Sequence, residues 1–325
     1  CSLGPNTQVF YDDPLNPLRK TEEIDASGKI VTPGLFAPLS QLGLVEVSLS
    51  AGPIDGAQRG ELFTAGFDVA DAYNPRSTLI AINRIEGVTR AVIAPSPAYP
   101  DTRGAGHIIA GLAAVVNLGD DNVIDQRATA LVVFLGEYGA ALSGGTRTAA
   151  WLTLRNALDE ALDYREHKGD FERGMRRDYA HSVADLEALQ GVINGNTPVI
   201  VGVDRASDIE VLIDLVDEYS ITAIISGGAE AWMLADELAT ANIAVIVGPS
   251  ANLPGSFDAI NARFGTASIL IDAGVKVAIA DGDARTHNAR NMTQSAGNAV
   301  AHGLDCPPGD ALPNRWCAKR NTGQA

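Results

Sequence analysis

The amino-acid sequence predicts an α/β fold in which short parallel strands alternate with helices. Four apolar runs rich in β-branched residues occupy the second half of the chain, at 197–203, 222–225, 244–247 and 275–280. Apolar runs without polar alternation are typical of strands buried on both faces. Their starts are about 20 to 30 residues apart, the length of one strand–helix unit with short loops. Repeated units of this kind form a parallel sheet, either doubly wound or closed into a barrel.

Helical patterns fill the intervals between these runs. Ser207 and Glu210 have capping-box spacing, which predicts a helix over 209–219. Apolar residues also recur at helical spacing in 229–241 and 257–273, and the second stretch ends at Gly274, a common helix stop. In the first half, the sequence predicts strands at 30–31, 90–94 and 130–135 and a long amphipathic helix at 147–167.

Composition and charge exclude several classes of function. Hydrophobic residues make up 46% of the 325 residues and charged residues 20%, which is ordinary for a soluble globular protein. The formal charge of −16 argues against nucleic acid and anionic membranes as partners, because both require clustered Lys and Arg. A small-molecule ligand and a homo-oligomer remain open.

The sequence gives little information about the compartment. We find no apolar run of about 18 residues, the length of a transmembrane helix, and no visible signal peptide. The three cysteines, Cys1, Cys306 and Cys317, form no Cys-x-x-Cys pair, although a disulfide between the last two is sterically conceivable. We expect a soluble protein, either cytoplasmic or periplasmic.

Polar residues that follow the predicted strands are the candidate functional groups, because chemistry in parallel α/β folds gathers at the carboxyl ends of strands. Asp204 and Arg205 follow one strand, either as a functional pair or as a structural ion pair. Asp281 and Asp283 follow another, either as acid or base or as a turn with a helix cap. The remaining candidates are Ser226, with glycines 227 and 228 for anion binding or a tight turn, and Glu137, a third carboxylate or a solvated loop residue.

A histidine-rich metal site is not expected. The chain has five histidines, and none follows a predicted strand: His107, His167, His181, His287 and His302. A hydrolytic metal site needs several His, Asp or Glu side chains that converge on one point. We therefore expect no cofactor, or zinc if any metal is bound.

Residues 24–35 resemble the segment that enters the barrel in the amidohydrolase superfamily, in the branch near imidazolonepropionases and prolidase-like dipeptidases. In that family a His-x-His pair follows the Pro-Gly turn, and here Leu39 and Gln41 stand in its place. Residues 86–90, 136–137 and 198–209 are similar to later barrel segments. Further resemblance is carried by 224–230, 235–249 and 273–280.

The resemblance implies a (β/α)8 barrel of the metal-dependent hydrolase type over residues 32–304. It implies that Gly202 and Gly227 hold two further histidine positions and that Asp281 or Asp283 is the general base of strand eight. Residues 1–31 would be a remnant of the family's small β-sandwich, and residues 305–325 an irregular tail that no longer resembles the family. We expect a sequence truncated at both ends, with a fragment or a shifted reading frame as the hypothesis for the tail.

Three functions are consistent with this pattern. The first is a hydrolase of C–N bonds in small amides, cyclic amides or dipeptides, with a metal-activated water and a proton-transferring Asp281 or Asp283. The second is a catalytically inactive relative, a pseudoenzyme that keeps the barrel as a binding module. The third is a metal-free enzyme that uses Glu137, Asp204, Arg205 and Asp281 for acid–base chemistry.

Overall fold

Eight strands in chain order form one sheet that curls into a nearly closed barrel. The computed structural model describes residues 33–47, 52, 54–58, 63–97, 106–119, 124–249, 253–280 and 287–305. The strands are β1 (Leu35–Ser40), β2 (Val88–Ile93), β3 (Ile109–Asn117), β4 (Ile124–Phe134), β5 (Val199–Val203), β6 (Ala223–Gly227), β7 (Ala244–Val247) and β8 (Val277–Ile279). Each strand pairs with the next, and no β8–β1 pairing occurs among the described residues.

Eight α-helices accompany the described strands. They are α1 (Thr78–Ile85), α2 (Gly136–Leu142), α3 (Arg147–Glu172), α4 (Val183–Ile193), α5 (Ala206–Tyr219), α6 (Ala235–Thr240), α7 (Thr266–Asp272) and α8 (Met292–Ala301). Short 3₁₀ helices occur at Val69–Ala72, Ala231–Leu234, Phe257–Ala259 and His287–Asn291. Within the described parts of the chain, no helix is long and apolar enough to span a membrane.

The barrel confirms the predicted fold class, with one departure in strand direction. Strands β4 to β8 are parallel to one another, and β1 is parallel to β2. Strand β3 is antiparallel to both β2 and β4. No sequence pattern predicted a strand at 109–117, and only the second half of β4 was predicted. A direct β3–β4 connection has no room for a crossover helix, so the strand–helix rhythm that guided the prediction is missing there.

Alternate residues of the strands separate the lumen of the barrel from its outer shell. One buried apolar cluster fills the lumen and contains residues from strands β2 to β5: Val92, Ala94, Ala110, Ala113, Ala130, Val132 and Ile200. Two other apolar clusters lie between the outer face of the strands and the surrounding helices. One packs β4 to β8 against α3 to α7, and the other packs β1 and β2 against α1 and α8. The period of two therefore separates lumen from shell side chains along the strands, except where the register is irregular, as in β3, where a shift between Ile109 and Gly111 leaves both Ala110 and Ala113 in the lumen cluster.

Four helical predictions differ from the structure in detail, among them 229–241, which holds a 3₁₀ helix at Ala231–Leu234 followed by α6. The stretch 257–273 is not one helix but a 3₁₀ turn at Phe257–Ala259 followed by α7. Between them, Asn261 is hydrogen-bonded to Glu230 and Trp232. Helix α5 starts at Ala206 rather than at Ile209, and Ser207 does not cap it. The carboxylate of Glu230 accepts the hydrogen bond from the Ala206 N–H at 2.9 Å instead. Helix α3 continues to Glu172 through a non-helical residue, His167, where the predicted helix ended.

The predicted outer segments are not tested by this structure. Residues 1–31, including the strand expected at 30–31, and all but Asp305 of the tail 305–325 lie outside the described residues. The disulfide considered between Cys306 and Cys317 lies outside them as well.

Asp185 ties helix α4 to the segment before the first 3₁₀ helix. Its buried carboxylate accepts hydrogen bonds from the backbone N–H groups of Thr64 at 2.7 Å and Gly66 at 2.9 Å and from the Ser182 hydroxyl at 2.6 Å. Burial alone would raise the pKa of Asp185, but these hydrogen bonds outweigh it and the pKa is lowered. The ionised form is therefore the one the fold stabilises.

We expect the Asp185→Ala substitution to destabilise the protein by about 2 to 4 kcal/mol at neutral pH, because it leaves buried N–H groups unpaired. Since the folded pKa is lowered, the contribution of Asp185 is complete above the unfolded pKa and is lost as pH falls through the folded pKa. Urea unfolding of wild type and variant between pH 7 and pH 2 measures both effects. The control is Asp214→Ala, at an exposed position of α5, and an equal loss in the two variants would contradict the prediction.

Candidate functional site

The lumen of the barrel is apolar near the carboxyl ends of the strands, which we call the upper lumen. The resemblance implied metal ligands there. Leu39 of β1 and Phe134 of β4 both pack against the lumen cluster. Gly202 lies beside Phe134, and a β-carbon added to Gly202 would lie 2.8 Å from Cδ1 of its ring. The aromatic ring thus takes the space that a histidine side chain at position 202 would need. Sequence analysis did not single out Phe134, because an apolar residue in an apolar strand carries no local signal.

Gly227 also lacks room for a side chain, but its neighbour is a carboxylate. It has a positive φ of 101°, and a β-carbon there would lie 2.6 Å from Oδ1 of Asp204. On β6, Ile224 packs against the lumen cluster whereas Ala223 and Ile225 belong to the outer shell. The alternation therefore assigns Ser226, rather than Gly227, to the lumen side of β6.

The side-chain amide of Gln41 is already hydrogen-bonded within the protein and does not project freely into the mouth of the barrel. Its side chain is buried, and Nε2 donates a hydrogen bond to the hydroxyl of Ser96 at 3.0 Å. This bond joins the end of β1 to the segment that follows β2. The amide oxygen is a weak ligand for zinc compared with histidine.

The residues at the expected ligand positions do not fit the metal of the amidohydrolase fold. Leu39 and the two glycines have no donor atoms in their side chains, and Phe134 and Asp204 fill the space around the glycines. Among the described residues, no group of three or more His, Cys, Asp and Glu side chains is arranged to hold a metal ion. We derive no reaction step through a metal at these positions.

Asp204, one of the sequence-predicted candidates, is an acid whose pKa is raised in the folded protein. It follows β5, and its Oδ1 accepts a hydrogen bond from the backbone N–H of Ala229, after β6, at 3.1 Å. Burial raises the pKa of Asp204, and the nearby carboxylates of Asp258 and Glu230 raise it further. A carboxyl group that keeps its proton to higher pH can act as a general acid or as a hydrogen-bond donor.

Arg205 does not pair with Asp204; it pairs with Asp208. Its Nη2 donates to Oδ1 of Asp208 at 3.0 Å, while Nε of Arg147 donates to Oδ2 of the same carboxylate at 3.2 Å. Arg147 also forms an ion pair with Asp258. Burial would lower the pKa of Arg147, but the two carboxylates raise it overall.

Asp258, in the 3₁₀ helix between β7 and α7, caps the start of α2. Its Oδ2 accepts a hydrogen bond from the backbone N–H of Glu137 at 2.5 Å. Gly136, with a φ of 64°, permits this approach, since a β-carbon there would lie 2.7 Å from the same oxygen. The side chain of Glu137 is itself exposed. Asp258 was not predicted as a site residue, because its partners are more than 100 residues away in sequence.

Glu230 completes this polar region. It is buried, and its Oε1 accepts hydrogen bonds from the N–H and side-chain amide of Asn261 at 3.2 and 2.9 Å. The structure therefore brings together Asp204, Asp258 and Glu230 beside the ends of β5 and β6. The predicted aspartates of strand eight, Asp281 and Asp283, lie outside the described residues, so their roles stay predictions.

Comparison with known proteins supports the fold. The chain superposes on an amidohydrolase from Thermotoga maritima MSB8 with a TM-score of 0.77 and 22% sequence identity, covering 95% of this chain and 78% of that chain. The fold is similar to that of an amidohydrolase. Neither a protein-family model nor a curated protein matches the chain. The likeness confirms the barrel that the resemblance implied, while the branch near imidazolonepropionases stays a prediction.

We expect Gly202→Ala to destabilise the protein by about 1 to 3 kcal/mol, because the new methyl group overlaps the ring of Phe134. The double variant Gly202→Ala with Phe134→Leu should recover part of this loss, which a double-mutant cycle of urea unfolding measures. Gly297→Ala is the control, since a β-carbon at that position of α8 meets no other atom within 4 Å. Equal effects at 202 and 297 would contradict the lumen packing.

We expect Asp204→Asn to stabilise the protein at neutral and higher pH. Because the pKa of Asp204 is raised in the folded state, its contribution is fully favourable below the unfolded pKa and is lost as pH rises through the folded pKa. Thermal unfolding across pH 3 to 9 should show the two proteins converging at acid pH and the variant above wild type at higher pH. A variant less stable than wild type at every pH would contradict the raised pKa.

Proposed function

We propose that this chain is an amidohydrolase-like barrel that binds a small molecule at the carboxyl ends of its strands, without the histidine-held metal of that fold. One observation carries the proposal: the side chains of Phe134 and Leu39 line the lumen where histidines would converge. Fold alone does not imply catalysis. Because the side chains at these positions cannot bind a metal, we favour a binding role over catalysis.

The proposed ligand site combines an apolar floor with a polar rim. In this proposal Leu39 and Phe134, which pack against the lumen cluster, form the floor, and Ser226 and Asp204, at the ends of β6 and β5, form the rim. Sites of this kind use apolar surface for affinity and a few polar groups for orientation. A protonated Asp204 can donate a hydrogen bond to a carbonyl oxygen and the ionised form can accept one from an N–H group. Small amides and cyclic amides, which carry both groups, are therefore the first ligands to test.

A second candidate is metal-free hydrolysis of a C–N bond in such a compound. The raised pKa of Asp204 favours it, because an acid that retains its proton can protonate a departing amine. In this reaction water adds its oxygen to the carbonyl carbon and the C–N bond breaks. The base would be Asp281 or Asp283 of strand eight. The likeness in fold to an amidohydrolase supports the same reaction class.

Metal content separates the proposal from metal-assisted hydrolysis. We expect less than stoichiometric zinc after incubation with excess zinc and dialysis, as measured by plasma mass spectrometry, because the side chains at the expected positions supply no strong ligands. Near-stoichiometric zinc that resists dialysis would overturn the proposal. A variant with Leu39→His and Gln41→His tests whether donors at the end of β1 and directly after it restore retention.

Binding and turnover separate the two metal-free candidates. A panel of N-acyl amides, cyclic imides and dipeptides is assayed for thermal stabilisation of the protein and, in parallel, for amine release. Binding without amine release is the expected outcome, and Asp204→Asn should weaken it, whereas the exposed control Asp214→Asn should not. Amine release that Asp204→Asn abolishes would favour hydrolysis. Absence of both binding and release across the panel would count against the proposed site.

A further inference from the structure

Three lumen-facing residues near the carboxyl ends of β4, β5 and β6 are neighbours in the sheet. Phe134 is paired in register with Gly202, and Gly202 with Ser226. Partners in register on parallel strands point to the same face of the sheet and lie about 5 Å apart. The three residues therefore form one row along the wall of the upper lumen, and only Phe134 has a large side chain.

The row two residues nearer the amino ends of these strands is bulky and well packed. Val132 is paired with Ile200, and Ile200 with Ile224. Val132 and Ile200 belong to the lumen cluster and are 2% and 4% exposed, and Ile224 packs against the same cluster. The lumen is therefore filled with protein at this lower row.

The upper row is not filled in the same way. Phe134, Gly202 and Ser226 are each only partly buried. Because they face the inside of the barrel, the surface that they expose borders the lumen and its mouth. The ring of Phe134 leans over Gly202, so the remaining room lies beside Ser226 and against the exposed part of the ring. The interior of an eight-stranded barrel is just wide enough for side chains or one small ligand.

Phe134 forms an aromatic wall whose position is set by contacts outside this space. The ring of Tyr138 packs against it edge-on, with 5.8 Å between the ring centroids and an interplanar angle of 67°. Tyr138 itself packs against the outer shell. An aromatic side chain favours a second ring in offset or edge-to-face geometry beyond the gain from buried area alone.

Ser226 adds one polar group to this apolar surface. Within the described part of the chain, its hydroxyl makes no hydrogen bond. A half-buried hydroxyl next to apolar side chains gains from a partner, because it has lost part of its contact with water. A polar atom attached to a ligand ring would supply that partner.

We propose that the space beside Phe134 and Ser226, which we call the ring pocket, binds an aromatic ring that bears one polar substituent. The ring lies against Phe134 above Ile200 and Ile224, and the substituent is hydrogen-bonded to Ser226. This inference rests on the proposed function only in taking the carboxyl ends of the strands as the ligand site. It assigns the ligand to a chemical class, small aryl compounds such as phenols and benzamides.

Matched pairs of probes measure the preference for an aromatic ring. Phenol and cyclohexanol carry the same hydroxyl on rings of six carbons, and benzamide and cyclohexanecarboxamide carry the same amide. We expect the aromatic member of each pair to bind about fivefold more tightly, the effect of one aromatic contact, in NMR titrations of the full chain. Equal affinities within both pairs, or no binding by any of the four probes, would overturn the ring pocket.

Two substitutions separate the aromatic wall from the hydroxyl. Phe134→Leu should equalise the affinities within each pair. Phe171→Leu is the control, since Phe171 also has aromatic neighbours but lies on α3, and it should leave the preference unchanged. Ser226→Ala should weaken phenol and cyclohexanol alike by about fivefold, the effect of one hydrogen bond, whereas Ser207→Ala at an exposed position should not. A preference for phenol that survives Phe134→Leu would contradict the wall.

Filling the space tests the ring pocket without a ligand. Ser226→Val places a branched side chain in the upper row, where it should gain contacts if the space is unfilled. We expect a melting temperature equal to or above that of wild type, together with loss of binding of all four probes. A lower melting temperature, or unchanged binding, would overturn the ring pocket.

The results distinguish this inference from the proposed function. Binding of amides without any preference for an aromatic ring would sink the ring pocket and leave the proposed function standing. Selective binding of phenol by a protein that binds no amide would support the ring pocket and count against the proposed function.

Discussion

Space in the upper lumen is the constraint on which the rest of this site depends. The ring of Phe134 lies where a side chain on Gly202 would project, and Leu39 adds a second apolar group from β1. Close-packed interiors do not admit a histidine beside such a ring without movement of the backbone or of the ring. Asp204, the described acid nearest to these positions, lies instead beside the ends of β5 and β6.

Buried carboxylates hold the polar rim and the outer shell together in the same way: each accepts hydrogen bonds from backbone N–H groups of another segment. Asp258 accepts from the start of α2, Glu230 from the start of α5, and Asp185 from the Thr64 segment. Glu160 does the same for the backbone N–H groups of Ala180 and His181. Helix starts and turns leave N–H groups without local partners, and a carboxylate distant in sequence satisfies them.

The contribution of these carboxylates to the stability of the fold depends on pH. The pKa values of Asp185 and Glu160 are lowered: burial opposes ionisation, and hydrogen bonds to the charged form outweigh it. Their stabilisation is present above the unfolded pKa and is lost as pH falls through the folded pKa. Asp204 has the opposite sign, because burial and neighbouring carboxylates outweigh its backbone hydrogen bonds. The acid near the proposed ligand site is thus less favourable to the fold when ionised, a pattern typical of functional groups.

The sequence by itself determined the parallel strands of the second half, the long helix α3 and the polar residues after β5 and β6. These features are local: uninterrupted apolar runs, helical spacing and the residue that follows each run can be read without knowledge of neighbours. The antiparallel strand β3 was not predicted, because a hairpin lacks the alternation of strand and helix on which the prediction was based. Only the tertiary structure decided that Phe134 fills the space over Gly202, that Arg205 pairs with Asp208 rather than with Asp204, and that Asp258 and Glu230 join the site. The first and the last of these contacts join different strands or loops, and packing and charge proximity between such segments depend on the assembly of the barrel, which no local pattern encodes. The Arg205–Asp208 pair is local, with i,i+3 spacing, and depends on where α5 begins.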